Sequence, residues 1–541
     1  MKTGIIGLWG DYVQIVRLKI DNNKCLDDFN IRFEIDKEHG SSTVLIGENG
    51  TGKSSMLQAV LAIMMSFDSE AVEKTITYPY SIKYFYKGSI ITLNRSGKNY
   101  TVSIDDKPFC KGSLKTVKAI LRARNKSIFP ERVNYFYSGL NNQIRRSFQL
   151  VDTKYVKKCR DAAVRYWNAL YLTNRTYTEA FPKRRYNYCS EELIPLYLIA
   201  IICGNDSSDK QTLSDQCNIT KIETVSIDIS VKELRERLAN DIVEIGKEGI
   251  CDLVDFIDYR FTEHFRQGLL FQEGIRFVFE LHNIGAIDAD TVAFFNFFEK
   301  LSTILSVKYS VTVKVGDTPV NCADLSEGQR QLIKIIGMLS ICKNEDTLVL
   351  MDEPDAHMNP KWKYELKSTI DRCLENSVNT QAIIATHDPL VINGVDKSFI
   401  RVFTSTLRSV DNTNKYSTRV IEPTEDTEGL GIDGLLQSEY YGLRTSYDKK
   451  ATDKFIRRQE LYSKLINGDA DEEEKEELRT LTKEIGSLPM SYNSIDFLYD
   501  DFISVYKNTD LFAKQYLSFD EIQKRRKKIE EILNALYEGQ V

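Results

Sequence analysis

Residues 47–54, GENGTGKS, restrict the possible folds of this chain more than any other stretch. They lie between an apolar run, residues 43–46, and an apolar segment with helical character, residues 56–65. This is the G-x-x-x-x-G-K-[ST] phosphate-loop pattern in its strand–loop–helix setting. The glycines let successive backbone N–H groups turn inward onto phosphate oxygens, and the following helix adds its positive N-terminal end. The chain is therefore predicted to bind a nucleoside triphosphate.

Two side chains of the loop have specific roles in this pattern. Lys53 is expected to reach the β- and γ-phosphates, and the hydroxyl of Ser54 is expected to bind Mg²⁺. The predicted nucleotide-binding residues of this segment are Asn49, Gly50, Thr51, Gly52, Lys53, Ser54 and Ser55.

A second anion site is predicted at residues 325–329, LSEGQ. Ser326 is a favourable N-cap for the helix-like segment that follows, and the first N–H groups of a helix attract anions. Taken alone, this pattern fits any capped helix start. Its position after a phosphate loop favours the functional interpretation.

Two apolar runs typical of buried strands end in polar residues. Residues 347–351 lead into Asp352 and Glu353, and residues 381–386 lead into His387. An Asp at such a strand end can hold the Mg²⁺ that bridges the phosphates, and the adjacent Glu can orient or deprotonate the attacking water. His387 is placed to contact the γ-phosphate. Each residue alone also fits a turn or a structural histidine, but their order after a phosphate loop favours catalysis.

Length and cysteine usage set the broad class. The 541 residues leave room for about three domains. Ten cysteines without a C-x-x-C pair favour reduced thiols over disulfides or a zinc site. The sequence contains neither a run of 18 apolar residues nor a secretory signal pattern at its start. A cytoplasmic protein without a membrane span is expected.

Positive charge is concentrated in residues 107–186, where 19 Lys and Arg face four acidic residues although the whole chain carries a net charge of −6. Such asymmetry favours a surface for a polyanion, DNA or RNA, over the alternative of a solvated helical face balanced elsewhere. The candidate phosphate contacts are Arg145, Arg146, Lys157, Lys158, Arg160, Lys183, Arg184 and Arg185. The candidates for base stacking are Tyr155, Tyr166, Trp167 and Tyr186.

Four segments are predicted along the chain. Short strand patterns surround the phosphate loop, and those between residues 81 and 104 indicate an antiparallel meander. Apolar residues at helical spacing, without coiled-coil heptads, dominate from about residue 150 to 270. We expect the N-terminal half of the nucleotide-binding head at 1–148, a mainly helical basic insertion at 149–272, the C-terminal half of the head at 273–424 and a helical tail at 425–541.

Together the motifs resemble the head of ABC-type ATPases. GENGTGKS resembles the Walker A motif, LSEGQ the signature motif, LVLMDEP the Walker B motif with its catalytic Glu, DAHMNP the D-loop and ATHD the switch histidine. The resemblance covers roughly residues 1–145 and 300–400. It implies ATP and Mg²⁺ as cofactors. It also implies an α/β fold with a parallel-sheet P-loop core and an antiparallel β-subdomain, to which this chain adds a helical insertion and a helical tail.

The resemblance also implies a shared site. Two heads are expected to pair head-to-tail as a homodimer, or within a higher oligomer. In that arrangement Ser326, Gly328 and Gln329 of one chain contact the ATP held by Lys53 of the other.

Two further roles are assigned by the same analogy. Gln143 is matched to the Q-loop residue that contacts the nucleotide and Mg²⁺, although its surroundings depart from the usual pattern. Trp9 and Tyr12 are the candidates for stacking on adenine.

Within the ABC ATPases, the chain resembles the SMC, RecF and OLD-like branch. Its antiparallel N-terminal strands and the 273 residues between Lys53 and Ser326 are unlike a transporter head. Residues 428–448 are similar to the OLD-like ATPases of bacterial antiphage systems, especially the Septu and retron-associated ATPases. This resemblance implies an ATP-driven dimeric switch that regulates a separate HNH-type nuclease, with retron DNA as a possible ligand.

No nuclease centre is expected in the chain itself. Asp469 and Asp471 form a D-x-D pattern, but inside a solvated acidic run, and the five histidines are not spaced as an H-N-H site. The alternative function is a RecF- or SMC-like repair ATPase that acts on DNA without a dedicated nuclease. A transporter nucleotide-binding subunit is disfavoured by the long insertion.

Overall fold

The computed structural model describes residues 13–23, 25–34, 41–139, 142–173, 181–238, 245–342, 345–375, 377, 379–410, 413–443, 448–467 and 471–486. Within them the strands are β1 (Gln14–Ile20), β2 (Phe29–Arg32), β3 (Ser41–Gly47), β4 (Tyr80–Tyr86), β5 (Ser89–Ser96), β6 (Asn99–Ile104), β7 (Lys107–Ser113), β8 (Arg132–Tyr137), β9 (Tyr186–Tyr188), β10 (Ile219–Ser230), β11 (Leu269–Glu273), β12 (Arg276–Leu281), β13 (Ser306–Val315), β14 (Thr318–Asn321), β15 (Thr347–Asp352), β16 (Thr380–Ala385), β17 (Ile400–Val410) and β18 (Thr413–Ile421). The α-helices are α1 (Lys53–Ser66), α2 (Glu70–Glu73), α3 (Leu114–Ala123), α4 (Asn142–Asn168), α5 (Ile194–Cys203), α6 (Ser207–Cys217), α7 (Lys232–Arg237), α8 (Lys247–Asp258), α9 (Thr262–Gly268), α10 (Thr291–Ile304), α11 (Glu327–Ser340), α12 (Pro360–Leu374), α13 (Gly431–Gln437), α14 (Lys449–Asn467) and α15 (Glu472–Gly486).

The central sheet has the strand order β18-β17-β3-β16-β15-β8-β9. All neighbouring strands in it run parallel except the β17–β18 pair. Every residue of β3, β15 and β16 is buried, as expected for parallel strands covered on both faces. Because the strands are parallel, the phosphate loop and the polar residues after β15 and β16 meet at one edge of the sheet.

The two faces of the central sheet contribute to two separate cores. Val44 and Ile46 of β3 belong to the larger core, which contains the apolar faces of α5, α10 and α11. Leu45 belongs to the second core, together with α1 and the antiparallel strands near the N-terminus. This split follows from the two-residue side-chain period of a strand.

A six-stranded antiparallel sheet with the order β2-β1-β4-β5-β6-β7 forms the subdomain that covers the second core. The predicted meander is its β4–β5–β6 part. The expected architecture, a parallel P-loop core with an antiparallel β-subdomain, is confirmed.

A third sheet, with the order β11-β12-β10-β13-β14, differs from the expected organisation. The span 149–272, expected to be mainly helical, contains the 12-residue strand β10, and β10 pairs with both β12 and β13 beyond residue 272. The local signal is the alternation of Val225, Ile227 and Ile229, all buried, with polar residues.

The chain divides into two compact units, residues 1–441 and 442–541. In the second unit, α14 and α15 pack through Phe455 and Ile485, and Arg457 pairs with Glu477 at 2.8 Å. Both helices were predicted for the tail. The remainder of the predicted helical tail from residue 487 onward, residues 469–470 of the D-x-D pattern and residues 1–12 lie outside the described residues.

No helix in the described ranges has both the length and the apolar character required to cross a bilayer.

Candidate nucleotide site

The phosphate loop joins β3 to α1, as the sequence predicted. Gly47 and Gly52 have φ angles of +140° and +97°, which side-chain-bearing residues rarely adopt. A Cβ on Gly47 would lie 2.1 Å from the carbonyl oxygen of Phe403, so only glycine fits there. Asn49 and Gly50 are exposed at the tip of the loop. The loop therefore has the glycine-dependent backbone conformation that the phosphate-loop pattern predicts.

Lys53 starts α1 and is 7% exposed. Its Nζ donates to the carbonyl oxygens of Gly47 at 2.6 Å and Glu48 at 3.0 Å, so the ammonium group lies inside the loop. Burial lowers the pKa of Lys53, whereas the negative charges of Glu353 and Asp352 act in the opposite direction. A cation held in the loop among carboxylates is suited to the γ-phosphate.

Ser54 and Asp352 lie together, as the predicted Mg²⁺ site requires. Ser54 Oγ donates to Asp352 Oδ1 at 2.8 Å, and Tyr135 OH donates to Asp352 Oδ2 at 3.4 Å. Asp352 is fully buried, and this burial raises the pKa of its carboxyl to about 6 although the Ser54 hydrogen bond opposes the shift. Tyr135 was not recognised from the sequence, because β8 carries no motif.

These residues fit a Mg²⁺ ion shared with phosphates. The described residues contain no group of three or more His, Cys, Asp or Glu arranged to hold a metal. Mg²⁺ commonly takes one or two protein oxygens and completes its shell with water and substrate phosphates. The Asp352 carboxylate and the Ser54 hydroxyl supply two such oxygens. A buried carboxylate and a half-buried hydroxyl, both oxygen ligands, match that chemistry.

Glu353 and His387, the two predicted catalytic residues, lie next to each other. His387 Nδ1 lies 3.4 Å from Glu353 Oε1, and both side chains are partly exposed, at 51% and 40%. Glu353 has a φ of +52°, and its N–H donates to Ala385 O on the neighbouring strand at 2.8 Å. A non-glycine residue in this region is strained, a condition common at functional sites. The strained turn follows directly after β15, and the Glu353 side chain there is 40% exposed.

The signature segment is folded as a capped helix start. Ser326 Oγ accepts from Gln329 N at 3.3 Å and Ser326 N donates to Gln329 Oε1 at 3.1 Å, a complete capping box. Ser326 is exposed and Gly328 is buried. Within the described residues, no hydrogen bond or ion pair joins Ser326, Gly328 or Gln329 to the phosphate loop of the same chain.

The signature helix is fastened to the D-loop. Gln331 Nε2 donates to Pro354 O at 3.3 Å, and a Cβ on Gly328 would lie 2.8 Å from the Trp362 ring. The carboxylate of Glu327 lies 3.7 Å from Nδ1 of His357. Signature and D-loop therefore form one continuous surface next to Ser326.

The structure gives only a position for Gln143, the predicted Q-loop residue. Gln143 is exposed at the start of α4, after β8, whose last residue Tyr137 is in register with Asp352. This places Gln143 on the chain that leaves the same sheet edge. Trp9 and Tyr12 lie outside the described residues.

Two of the predicted base-stacking residues are buried. Trp167 and Tyr186 are 1% and 3% exposed, and Tyr186 OH donates to Asp68 at 2.7 Å. The stacking prediction is wrong for both, because their rings fill the core. Tyr166 stacks on Phe256 at 4.2 Å, and Tyr155 OH donates to Glu299 at 3.1 Å.

The predicted cations fall into two groups. Arg184 pairs with Asp152 at 3.2 Å and Glu299 at 3.0 Å, and Arg185 pairs with Asp68 at 2.8 Å. Arg160 is also paired, with Glu233. These three guanidinium groups are therefore already neutralised by carboxylates. The exposed cations of the predicted set are Arg145, Arg146, Lys157, Lys158 and Lys183.

The sequence relatives include a Septu protein and a probable retron ATPase. The Septu protein PtuA of Bacillus mycoides (strain KBAB4) is 29% identical over 167 residues, 29% of this chain and 21% of that protein. The retron Vc95 probable ATPase of Vibrio cholerae is 29% identical over 138 residues, 23% of this chain and 24% of that protein. The matched segments thus span only about a fifth to a quarter of each relative.

Among solved structures, the SMC head domain from Thermotoga maritima is similar at 13% identity and a TM-score of 0.31, over 76% of this chain and all of that one.

The AAA ATPase domain model matches residues 14–392, which contain the phosphate loop, Ser326, Asp352, Glu353 and His387. The predicted resemblance to Septu and retron ATPases is confirmed by the two sequence relatives. The chain therefore belongs to the AAA ATPase domain family, whose members bind nucleotide.

Proposed function

We propose that this protein is the ATP-hydrolysing switch of a bacterial antiphage defence system, that it works as a head-to-tail dimer, and that it regulates a separate nuclease. The observation that carries the dimer is the exposed capping box of Ser326, which makes no contact with the phosphate loop of its own chain within the described residues. A polar, capped helix start is suited to a phosphate, because the N-terminal end of a helix attracts anions. A second chain supplies the phosphate loop.

The surface beside Ser326 supports this geometry. Glu327 and Gly328 of the signature segment lie against His357 of the D-loop, and Gln331 donates to Pro354 O just before the D-loop. A dimer partner would meet them as one preformed surface. Preformed surfaces lose less entropy on association than mobile ones.

The roles in hydrolysis follow from position. Lys53 binds the terminal phosphates. The Asp352 carboxylate and the Ser54 hydroxyl would hold a Mg²⁺ ion, which would supply positive charge next to those phosphates. Glu353 accepts the proton of the attacking water. His387, 3.4 Å from Glu353, positions that carboxylate and contacts the γ-phosphate. ATP binding joins the heads, and hydrolysis separates them.

The assignment to defence is supported by the relatives, the Septu protein PtuA and the retron ATPase. We propose an HNH-type nuclease as the partner. The second unit, residues 442–541, offers a docking surface: Ile456 and Tyr462 on α14 are 49% and 45% exposed.

We also propose that the outer face of α4 contacts the backbone of DNA or RNA. Arg146, Leu150, Lys154 and Lys158 follow at intervals of four residues and therefore share one face. Arg146, Lys157 and Lys158 are exposed and make no ion pair within the described residues. Burial lowers the pKa of Lys118 on α3, the negative charge of Asp68 raises it, and the positive charge of Lys154 on α4 lowers it.

Complementation of two inactive variants tests the shared site. Ser326→Arg disrupts the signature segment but leaves the phosphate loop intact. Lys53→Ala disrupts the phosphate loop but leaves the signature segment intact. A mixture of the two contains heterodimers with one intact composite site, so it should regain hydrolysis that neither variant shows alone. The matched control is a mixture of Lys53→Ala with Glu353→Gln, whose defects lie on the same side and should not complement. A mixture without any recovered hydrolysis contradicts the dimeric site.

Co-purification tests the partner. A tagged full-length chain expressed with its genomic neighbours should retain a nuclease, and Ile456→Asp with Tyr462→Asp should release that nuclease while leaving ATP hydrolysis unchanged. Retention of DNA-repair proteins in place of a nuclease contradicts the defence role and supports the repair alternative.

A further inference from the structure

The hairpin of β17 and β18 packs against the outside of the phosphate loop. Phe403 of β17 is in register with Gly47 and with Val420 of β18. Two residues before Val420, Thr418 is 5% exposed and donates from Oγ1 to the carbonyl oxygen of Thr51 at 2.8 Å. The hairpin therefore contacts the loop at both of its ends.

The position of Thr418 is itself determined by a second hydrogen bond. Its backbone N–H donates to the carbonyl oxygen of Cys25 at 2.9 Å, and the neighbouring Ser417 Oγ donates to Asp27 O at 2.9 Å. Because backbone and side chain are both bonded, the hydroxyl has one defined location. The Thr418 hydroxyl is therefore a hydrogen-bond donor in a defined position next to the phosphate loop.

The hydrogen bond to Thr51 has a consequence for the next N–H group. The Thr51 carbonyl and the Gly52 N–H belong to one planar trans peptide, in which C=O and N–H point in opposite directions. A carbonyl held on Thr418 therefore directs the N–H of Gly52 away from the hairpin. That N–H donates to no acceptor within the described part of the chain. Backbone N–H groups of this segment are the ones that cradle phosphates.

We propose that Thr418 is a positioning residue for nucleotide binding, whose hydroxyl fixes the Thr51–Gly52 peptide so that the Gly52 N–H faces the phosphates. The proposal rests on nucleotide binding by the phosphate loop. Close packing supports it. A Cβ on Gly52 would lie 2.6 Å from Thr418 Oγ1 and 3.1 Å from Cys25 Sγ, so the loop cannot shift toward the hairpin.

Equilibrium binding of ATP and ADP to the full-length chain tests the proposal. Thr418→Val keeps the side-chain shape but removes the donor, and should weaken both nucleotides about tenfold, the effect of one lost hydrogen bond. Thr418→Ser keeps the hydroxyl and should bind within about twofold of wild type. Thr404→Val is the matched control, because Thr404 donates to the carbonyl oxygen of Arg419 at 3.4 Å in the same hairpin, on a peptide that does not carry the Thr418 N–H. It should bind as wild type does.

Two further variants separate the possible failures. Lys53→Ala should abolish ATP binding; if it binds normally, the phosphate loop itself is not the site. If Lys53→Ala loses binding while a folded Thr418→Val binds within about twofold of wild type, the role of Thr418 is overturned. If Thr418→Val does not fold, Thr418→Ala, which adds no methyl next to Gly52, takes its place and must show the same loss.

Discussion

The hydroxyl of Ser54 donates a 2.8 Å hydrogen bond to Asp352, although 298 residues separate the two in the chain. The contact exists because β3 and β15 are both paired with β16 in one parallel sheet, so that their carboxyl ends meet at the same edge. It brings a hydroxyl from the start of α1 onto a buried carboxylate. The predictions below follow from this edge of the sheet and from the surfaces around it.

Glu353→Gln should lower ATP hydrolysis by at least about a hundredfold, because the amide cannot accept a proton from water. ATP binding should stay within about threefold of wild type, since Lys53 and Ser54 are unchanged. Phosphate release and equilibrium binding measure the two effects. With hydrolysis blocked, the ATP-bound dimer should accumulate in light scattering. Hydrolysis at the wild-type rate would show that another group is the base.

The stability of the nucleotide-free protein should depend on Asp352 and on pH. Its pKa is about 6 in the folded protein against an ordinary value of 3.8, so the folded state binds the extra proton between these values. Stability therefore falls as the pH rises through this window, and Asp352→Asn should raise the stability at neutral pH by up to about 3 kcal/mol.

Thermal unfolding of the wild-type protein and of Asp352→Asn, measured from about pH 4 to pH 7, tests this prediction. The difference between the two proteins should vanish at the acidic end, where wild-type Asp352 is protonated. ATP together with Mg²⁺ should stabilise the wild-type protein more than ATP alone, and the variant should lose this additional stabilisation. An equal difference at every pH would contradict a titrating Asp352.

Gly328→Ala should destabilise the protein by about 1–3 kcal/mol, because the added methyl meets the ring of Trp362 at 2.8 Å. In a Trp362→Leu background, where the ring is absent, the same change should cost at least about 1 kcal/mol less. Chemical unfolding of the four proteins measures this coupling. Additive costs would show that the two residues are not in contact.

Lys157→Glu with Lys158→Glu should weaken DNA or RNA binding and reduce its dependence on salt, because fewer counterions are released. Lys221→Glu with Lys308→Glu is the matched control, since it changes the net charge equally on the third sheet and should leave binding unchanged. Filter binding at several salt concentrations measures both slopes. Equal loss in the two variants would indicate a general charge effect rather than a face on α4.

Much of the nucleotide site was predictable because its motifs are local. The glycines of residues 47–54, the cap of Ser326 and the polar residues after β15 and β16 depend on neighbours in the chain. The strand β10 was missed because a short alternating run inside a helical span is a weak signal. The residues of β12 and β13 that pair with it are also distant in the sequence, from Ser230 with Arg276 to Ile219 with Val315.

By itself the sequence determined the chemistry at the edge of the central sheet: a phosphate-binding backbone, a lysine, a hydroxyl, two carboxylates and a histidine in a fixed order. The tertiary structure alone decided which groups share an environment. It neutralised Arg184 with Glu299, buried Trp167 and Tyr186, and placed Tyr135 and Thr418 on the site. These outcomes depend on the packing of segments far apart in the chain, which no local pattern of residues encodes.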